Sequence, residues 1–271
     1  MADFLARDLI SFALCWRLER RDGVAIGFTA HDRDLVVDGL VYRAAPGMLP
    51  SAITLSDGFA ADALDVKGAL TSDAIRAGDL AAGRWDGAAV AVFMTDWEAP
   101  GVERLEIARG VLGEVSTEGE SFEAELKGPA AMLDRPVVEQ TSPECRAMLG
   151  DARCRIDMAP RTRLTRIAAV VDEDAIEVTG AAAGNAYGYG RLRWIGGRNS
   201  GLESAILRSE GTLLTLREPP HFVPEVGDLV EITEGCDRSL ATCAGRFGNA
   251  ANFRGEPHLP GIDLLTRYPG G

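Results

Sequence analysis

Residues 12–29 read FALCWRLERRDGVAIGFT. Phe12, Leu14, Trp16 and Leu18 fall on every second position, the period of an extended chain with one face in a core. Arg21-Asp22-Gly23 offers a turn and residues 24–29 supply a second apolar run, so a β-hairpin is expected. Working outward, residues 34–42 (DLVVDGLVY) repeat the device with Asp38-Gly39 at the tip. Further strands are expected at residues 88–94, 102–115 and 122–126. Helical signals are confined to short pieces. One is residues 74–83 (AIRAGDLAAG), with Thr71 and Ser72 as N-cap candidates and Gly83 near its end. The other is residues 128–137, closed by Pro136.

The second half continues the pattern in shorter strokes. Residues 143–150 (PECRAMLG) read as a helix of one or two turns. Strands are expected within residues 163–178, around an Asp172-Glu173-Asp174 turn, and at residues 190–195, 205–209, 213–216 and 229–232. The fold class that follows is mainly β with a few short helices. Two domains are expected, residues 1–140 and residues 141–271, the second a small β-barrel-like module carrying a four-cysteine site.

Composition narrows the function. A formal net charge of −13 argues against a general nucleic-acid binder, because phosphate recognition needs a basic footprint. No apolar run approaches the roughly 20 residues that cross a bilayer, so no stable membrane insertion is expected. The first residues, MADFLARDLI, lack the basic n-region of a signal peptide, and folding in a reducing cytoplasm is expected.

That setting gives the cysteines their weight. Cys145 and Cys154 form a C-x8-C pair, Cys236 and Cys243 a C-x6-C pair, and 81 residues separate the two. Disulfides are rare in such a compartment, where spaced cysteines point instead to metal or catalysis. Both pairs lie in polar, turn-rich sequence, unlike buried structural cysteines in strand interiors. Cys15, next to Trp16 in the first strand, fits that buried type and is set aside. Structural zinc favours closer C-x2–4-C knuckles. An iron–sulfur cluster also takes four thiolates and tolerates ligands from separate segments. Spacing leaves both open and leans toward the cluster.

Other candidate motifs dissolve on inspection. Glu118, Glu120, Glu123 and Glu125 alternate with or flank apolar residues, as on a solvated strand face. His31-Asp32 sits in an Asp-rich turn, and His221 and His258 have no partner at metal-ligand spacing. Gly188-Tyr189-Gly190 is too short for a nucleotide loop and reads as a turn. No hydrolase elbow, zinc-protease, P-loop or dinucleotide fingerprint occurs, so no catalytic residue is assigned and no enzyme is expected. An iron–sulfur redox enzyme would need a flavin or nucleotide fingerprint that is missing.

Three stretches carry a resemblance: SPECRAMLGDARCRID, YGYGRLRWIGGRNSG and CAGRFGNAANFRGEPHLPG, at residues 142–157, 187–201 and 243–261. With FTAHDRDLVVDGLVYRAAPGM and LSDGFAADALDVKGAL in the first half, they resemble the tail hub proteins of phages and gene transfer agents. The ending is more distantly similar to the tail tip protein L of lambda-like phages. The resemblance implies a β-rich hub domain related to tail-tube proteins and a C-terminal domain carrying a [4Fe–4S] cluster. It places Cys145, Cys154, Cys236 and Cys243 at the ligand positions. It further implies a homotrimer at the tail tip of the virion, around a channel through which DNA only passes. The partners it implies are other tail proteins: the distal tail protein, a fibre-bearing tip protein and a cell-wall peptidase.

Overall fold

The computed structural model describes residues 11–44, 49–50, 63–69, 75–118, 121–128, 138–180 and 184–259. The chain divides into two compact units, Met1–Pro136 and Val137–Gly271. The architecture is β-rich, with one open sheet, one closed barrel and two short α-helices among the described residues.

The first unit holds strands β1 (Phe12–Glu19), β2 (Ala25–Thr29), β3 (Leu35–Val37), β4 (Leu40–Ala44), β5 (Leu49–Pro50) and β6 (Ala63–Ala69). After helix α1 (Ala77–Ala81) come β7 (Ala89–Asp96), β8 (Arg104–Glu118) and β9 (Ser121–Lys127). They form one sheet in the order β3-β4-β2-β1-β7-β8-β9-β6-β5. The β1–β2 hairpin turns at Gly23, whose φ of 87° suits a residue without a Cβ. The β3–β4 hairpin turns on Asp38 and Gly39, both at positive φ, as a two-residue hairpin loop requires. The second hairpin joins the first through a parallel β2–β4 pairing.

β1 departs from the expectation of a one-faced strand. Trp16 and Leu18 pack with Phe28, Leu80, Trp85 and Val92, while Ala13 and Cys15 on the opposite face pack with Leu35, Tyr42 and Phe93. Both faces are covered because β1 lies inside the sheet, paired with β2 and β7. Small side chains at Ala13 and Cys15 hide the second apolar face from a reading by period. Cys15 is fully buried there, as expected of a core cysteine.

α1 begins after Arg76, without a side-chain cap, and Gly83 at φ 71° closes the turn after it. Thr71 and Ser72, the helix expected up to Pro136, and Glu120 lie outside the described residues. Glu118, Glu123 and Glu125 lie on β8 and β9. His31 sits in the turn after β2, with Asp32 at 3.1 Å and its ring 5.1 Å from that of Trp97.

The second unit closes β10 (Thr162–Val170), β11 (Ala175–Val178), β12 (Arg191–Trp194), β13 (Glu203–Glu210), β14 (Leu213–Leu216) and β15 (Leu229–Thr233) into a barrel. Every pairing is antiparallel. Ile176, Val178, Leu192, Trp194, Leu214, Leu216, Val230 and Ile232 alternate inward and fill the barrel. Each such side chain contributes roughly 1.5–3 kcal/mol by leaving water. Closure leaves no free sheet edge.

One pairing positions the site. β10 and β15, first and last in the barrel, are antiparallel neighbours with Thr162 opposite Thr233. The segment entering β10 and the segment leaving β15 therefore meet at the same end of the barrel. Glu234 N–H donates to Arg161 O at 3.0 Å, and Arg161 Nη1 meets Glu234 Oε2 at 2.8 Å.

A four-cysteine site at one end of the barrel

The entering segment carries Cys145 and Cys154, the leaving segment Cys236 and Cys243. Residues 143–150 are not the short helix expected, but a run of turns. The Asp151 carboxylate captures the N–H groups of Met148 (2.9 Å), Arg153 (2.9 Å) and Cys154 (2.6 Å), the first of them inside the expected helix. These bonds hold the Asp151 carboxyl below its ordinary pKa, the one from Cys154 most of all. Gly150, at φ 83°, reverses the chain between the two cysteines.

On the other side, Asp237 and Ser239 organise the start of helix α2 (Leu240–Gly245). Ser239 Oγ accepts from Thr242 N at 3.1 Å, and Asp237 accepts from Ser239 N at 3.0 Å. Cys243 is the buried residue of that helix. Arg246 ties the helix end back to the barrel, donating to Gly235 O (3.0 Å), Ala186 O (2.7 Å) and Glu234 (2.6 Å). The guanidinium groups of Arg161 and Arg246 sit 4.9 and 4.7 Å from the Phe247 ring.

All four thiols line one small cavity, walled by Ala147, Leu149, Ile156 and Phe247. All are free thiols, and the site has three N–H groups aimed at sulfur. Arg254 N donates to Cys145 Sγ at 3.3 Å, Arg238 N to Cys236 Sγ at 3.4 Å, and Asn249 Nδ2 to Cys154 Sγ at 3.7 Å. Burial, followed by neighbouring charge, raises the Cys236 and Cys243 thiols above the ordinary cysteine range. A bound cation reverses that balance, since it favours the thiolates that proximity otherwise disfavours.

The donor set and its surroundings fit a cluster. Four soft ligands, apolar walls and N–H···S bonds are the chemistry of an iron–sulfur site. Among the described residues, no three His, Cys, Asp or Glu side chains form a closed metal-ligand set, and the four cysteines share only the lining of this cavity.

Several residues that hold the site were not singled out from the sequence. Glu256 forms a two-pronged pair with Arg146, at 2.5 and 2.8 Å, and accepts from Ser142 N at 2.9 Å. Its own N–H donates to Ser142 O at 2.8 Å, and Arg146 N donates to Arg254 O at 3.0 Å. Gly255 permits this contact, because a Cβ there would stand 2.5 Å from Glu144 O. The signal was present in the FGNAANFRGEPHLPG ending, where closely spaced Asn, Gly and Glu belong to a built loop.

The Glu256–Arg146 pair gives a pH prediction. Arg146 first, then Ser142 N, lowers the Glu256 carboxyl to about 2 from an ordinary 4.5. A lowered folded pKa means the contribution is complete above about 4.5 and is lost as pH falls toward about 2. Protection of the Arg146 and Glu256 amides, taken relative to their intrinsic exchange rates at each pH, is expected to fall across that window in the metal-free protein. Glu256→Gln should show the lower protection already at neutral pH.

The fold defines a β-rich protein with a barrel and a cysteine-lined pocket, and comparison gives the family. Residues 1–157 match the family described as baseplate hub protein, N-terminal attachment domain. Residues 185–263 match the family described as phage conserved hypothetical protein BR0599. No curated protein matches the chain. Among solved structures, a chain from "Virion of native gene transfer agent (GTA) particle" is similar, at 36% identity and a TM-score of 0.84. The match covers 99% of this chain and 94% of that one. The chain belongs to the baseplate hub family of phages and gene transfer agents, structural components of the virion.

Proposed function

We propose that this protein is the hub of a virion tail tip, stapled by a [4Fe–4S] cluster on Cys145, Cys154, Cys236 and Cys243. The observation carrying this reading is the four thiols from two distant segments around one apolar cavity, in a chain of the hub family. A cluster there supplies a cross-link that forms in a reducing cell, where a disulfide does not persist. It joins the segment entering the barrel to the segment leaving it, so the ends of the module cannot separate under the forces of delivery. The role is structural, and no substrate chemistry is assigned to the site.

In the particle the hub copies form a ring, a homotrimer, around the DNA channel. Their neighbours are the distal tail protein, the fibre-bearing tip protein and the cell-wall peptidase. The net charge of −13 supports passage of DNA without adhesion, since an acidic lumen repels phosphate.

The test is anaerobic purification followed by iron, sulfide and zinc analysis and a visible spectrum. Iron and sulfide in equal amounts with a broad charge-transfer band are expected. Stoichiometric zinc without iron would sink the cluster assignment.

A further inference from the structure

We infer that Asn249 is a positioning residue for the Cys154 sulfur, the side chain that sets the fourth corner of the site before any metal arrives. The inference rests on the four-cysteine reading above and adds a residue to it. Asn249 is the third residue of the FGNAANFRG stretch, and it touches both cysteine pairs at once. Its backbone N–H donates to Cys243 O at 2.9 Å, while its side-chain Nδ2 donates to Cys154 O at 2.7 Å and reaches Cys154 Sγ at 3.7 Å. One residue thus bridges Cys243, on its own segment, and Cys154, 95 positions before it.

The orientation of the amide follows from its partners. Cys154 O can only accept, so the nitrogen of the amide must face it. On the other side, Asn252 Nδ2 donates to Asn249 Oδ1 at 2.7 Å and holds the oxygen away from the sulfur. The two asparagines therefore form a relay: Asn252 fixes Asn249, and Asn249 fixes Cys154. Cys145 and Cys236 receive their N–H from the main chain, which any side chain preserves. Cys154 receives its N–H from a side chain, so its placement depends on residue identity. Donors of this kind orient ligands and tune the electron density on sulfur.

The experiment uses the full chain in its metal-free form, pulsed with limiting maleimide under reducing conditions, with each cysteine quantified by peptide mass. Asn249→Ala is expected to raise the labelling rate of Cys154 about tenfold, with Cys236 and Cys243 nearly unchanged. Asn252→Ala keeps the donor but frees the amide to rotate, and a smaller rise confined to Cys154 is expected. Should Asn249→Ala prove insoluble, the Asn252→Ala result carries the test. Equal acceleration at all four cysteines would reduce Asn249 to a structural residue, and no acceleration at Cys154 would overturn the inference. In protein reconstituted with iron and sulfide, a chelator should strip iron about 10–100-fold faster from Asn249→Ala than from the parent. A parent chain that binds zinc but no iron would overturn the cluster reading while leaving the labelling result to judge Asn249.

Discussion

Replacing Cys154 or Cys236 by serine is expected to abolish iron retention and to leave the second unit insoluble or the particles without complete tails. The two residues come from different pairs and are separated by 81 positions. A covalent link closing a loop of that length is worth about 4 kcal/mol in the chain-entropy account. A domain whose net stability is only about 5–15 kcal/mol loses much of it when such a link goes. Cys15→Ala provides the control. It removes a thiol from the core of the first unit, where Cys15 packs beside Ala13 and Phe93, and iron retention should be unchanged. Iron content and the yield of tailed particles check both arms. A Cys154→Ser variant that folds and assembles normally would make the structural role untenable.

Gly235→Ala is expected to be the most damaging substitution outside the cysteines. Gly235 lies directly before Cys236, pressed against the loop that ends in Tyr189 and Gly190. A Cβ at this position would stand 2.1 Å from Gly188 O and from Gly190 N, and 2.2 Å from the carbonyl carbon of Tyr189. These are backbone atoms, so no rotamer change can relieve the overlap. The loop cannot yield easily either, since Tyr189 N bonds Ile206 O at 2.9 Å and Gly190 is itself packed against Thr233 O. The expected cost is on the order of 3 kcal/mol, the upper range for overpacking that forces a backbone shift. The displaced strand end carries Cys236 with it, so iron retention should fall together with thermal stability. Denaturant unfolding of the parent and variant measures the first effect, and metal analysis the second.

The barrel was legible because most of its strands alternate apolar and polar residues around an apolar interior, with breaks only at the irregularities after Ile167 and Ile206. Leu213–Leu216 appears with the expected ends, and Leu229–Thr233 is one residue longer than expected. β1 was legible as a strand but not as an inner one, since Ala13 and Cys15 are too small to announce a second buried face. The parallel β2–β4 pairing and the β1–β7 pairing join residues without a shared local signal, and no period reveals them.

The site divides in the same way. Spacing and polarity marked the four cysteines, yet their meeting depends on β10 closing against β15, a contact between the ends of the module. Turns replace the expected helix after Pro143 because the N–H groups of Cys145, Arg146 and Met148 go to Arg238 O, Arg254 O and the Asp151 carboxylate instead. The roles of Asn249 and Glu256 are set by what they reach across space, Cys154 O and Arg146, which a linear reading does not contain.

High-resolution imaging of an intact particle, with the hub resolved in its tail tip, tests the central claim most directly. The expected result is a ring of hub copies, each with one compact body in contact with the sulfurs of Cys145, Cys154, Cys236 and Cys243. Sulfurs paired as disulfides, or gathered on a single ion, would contradict it.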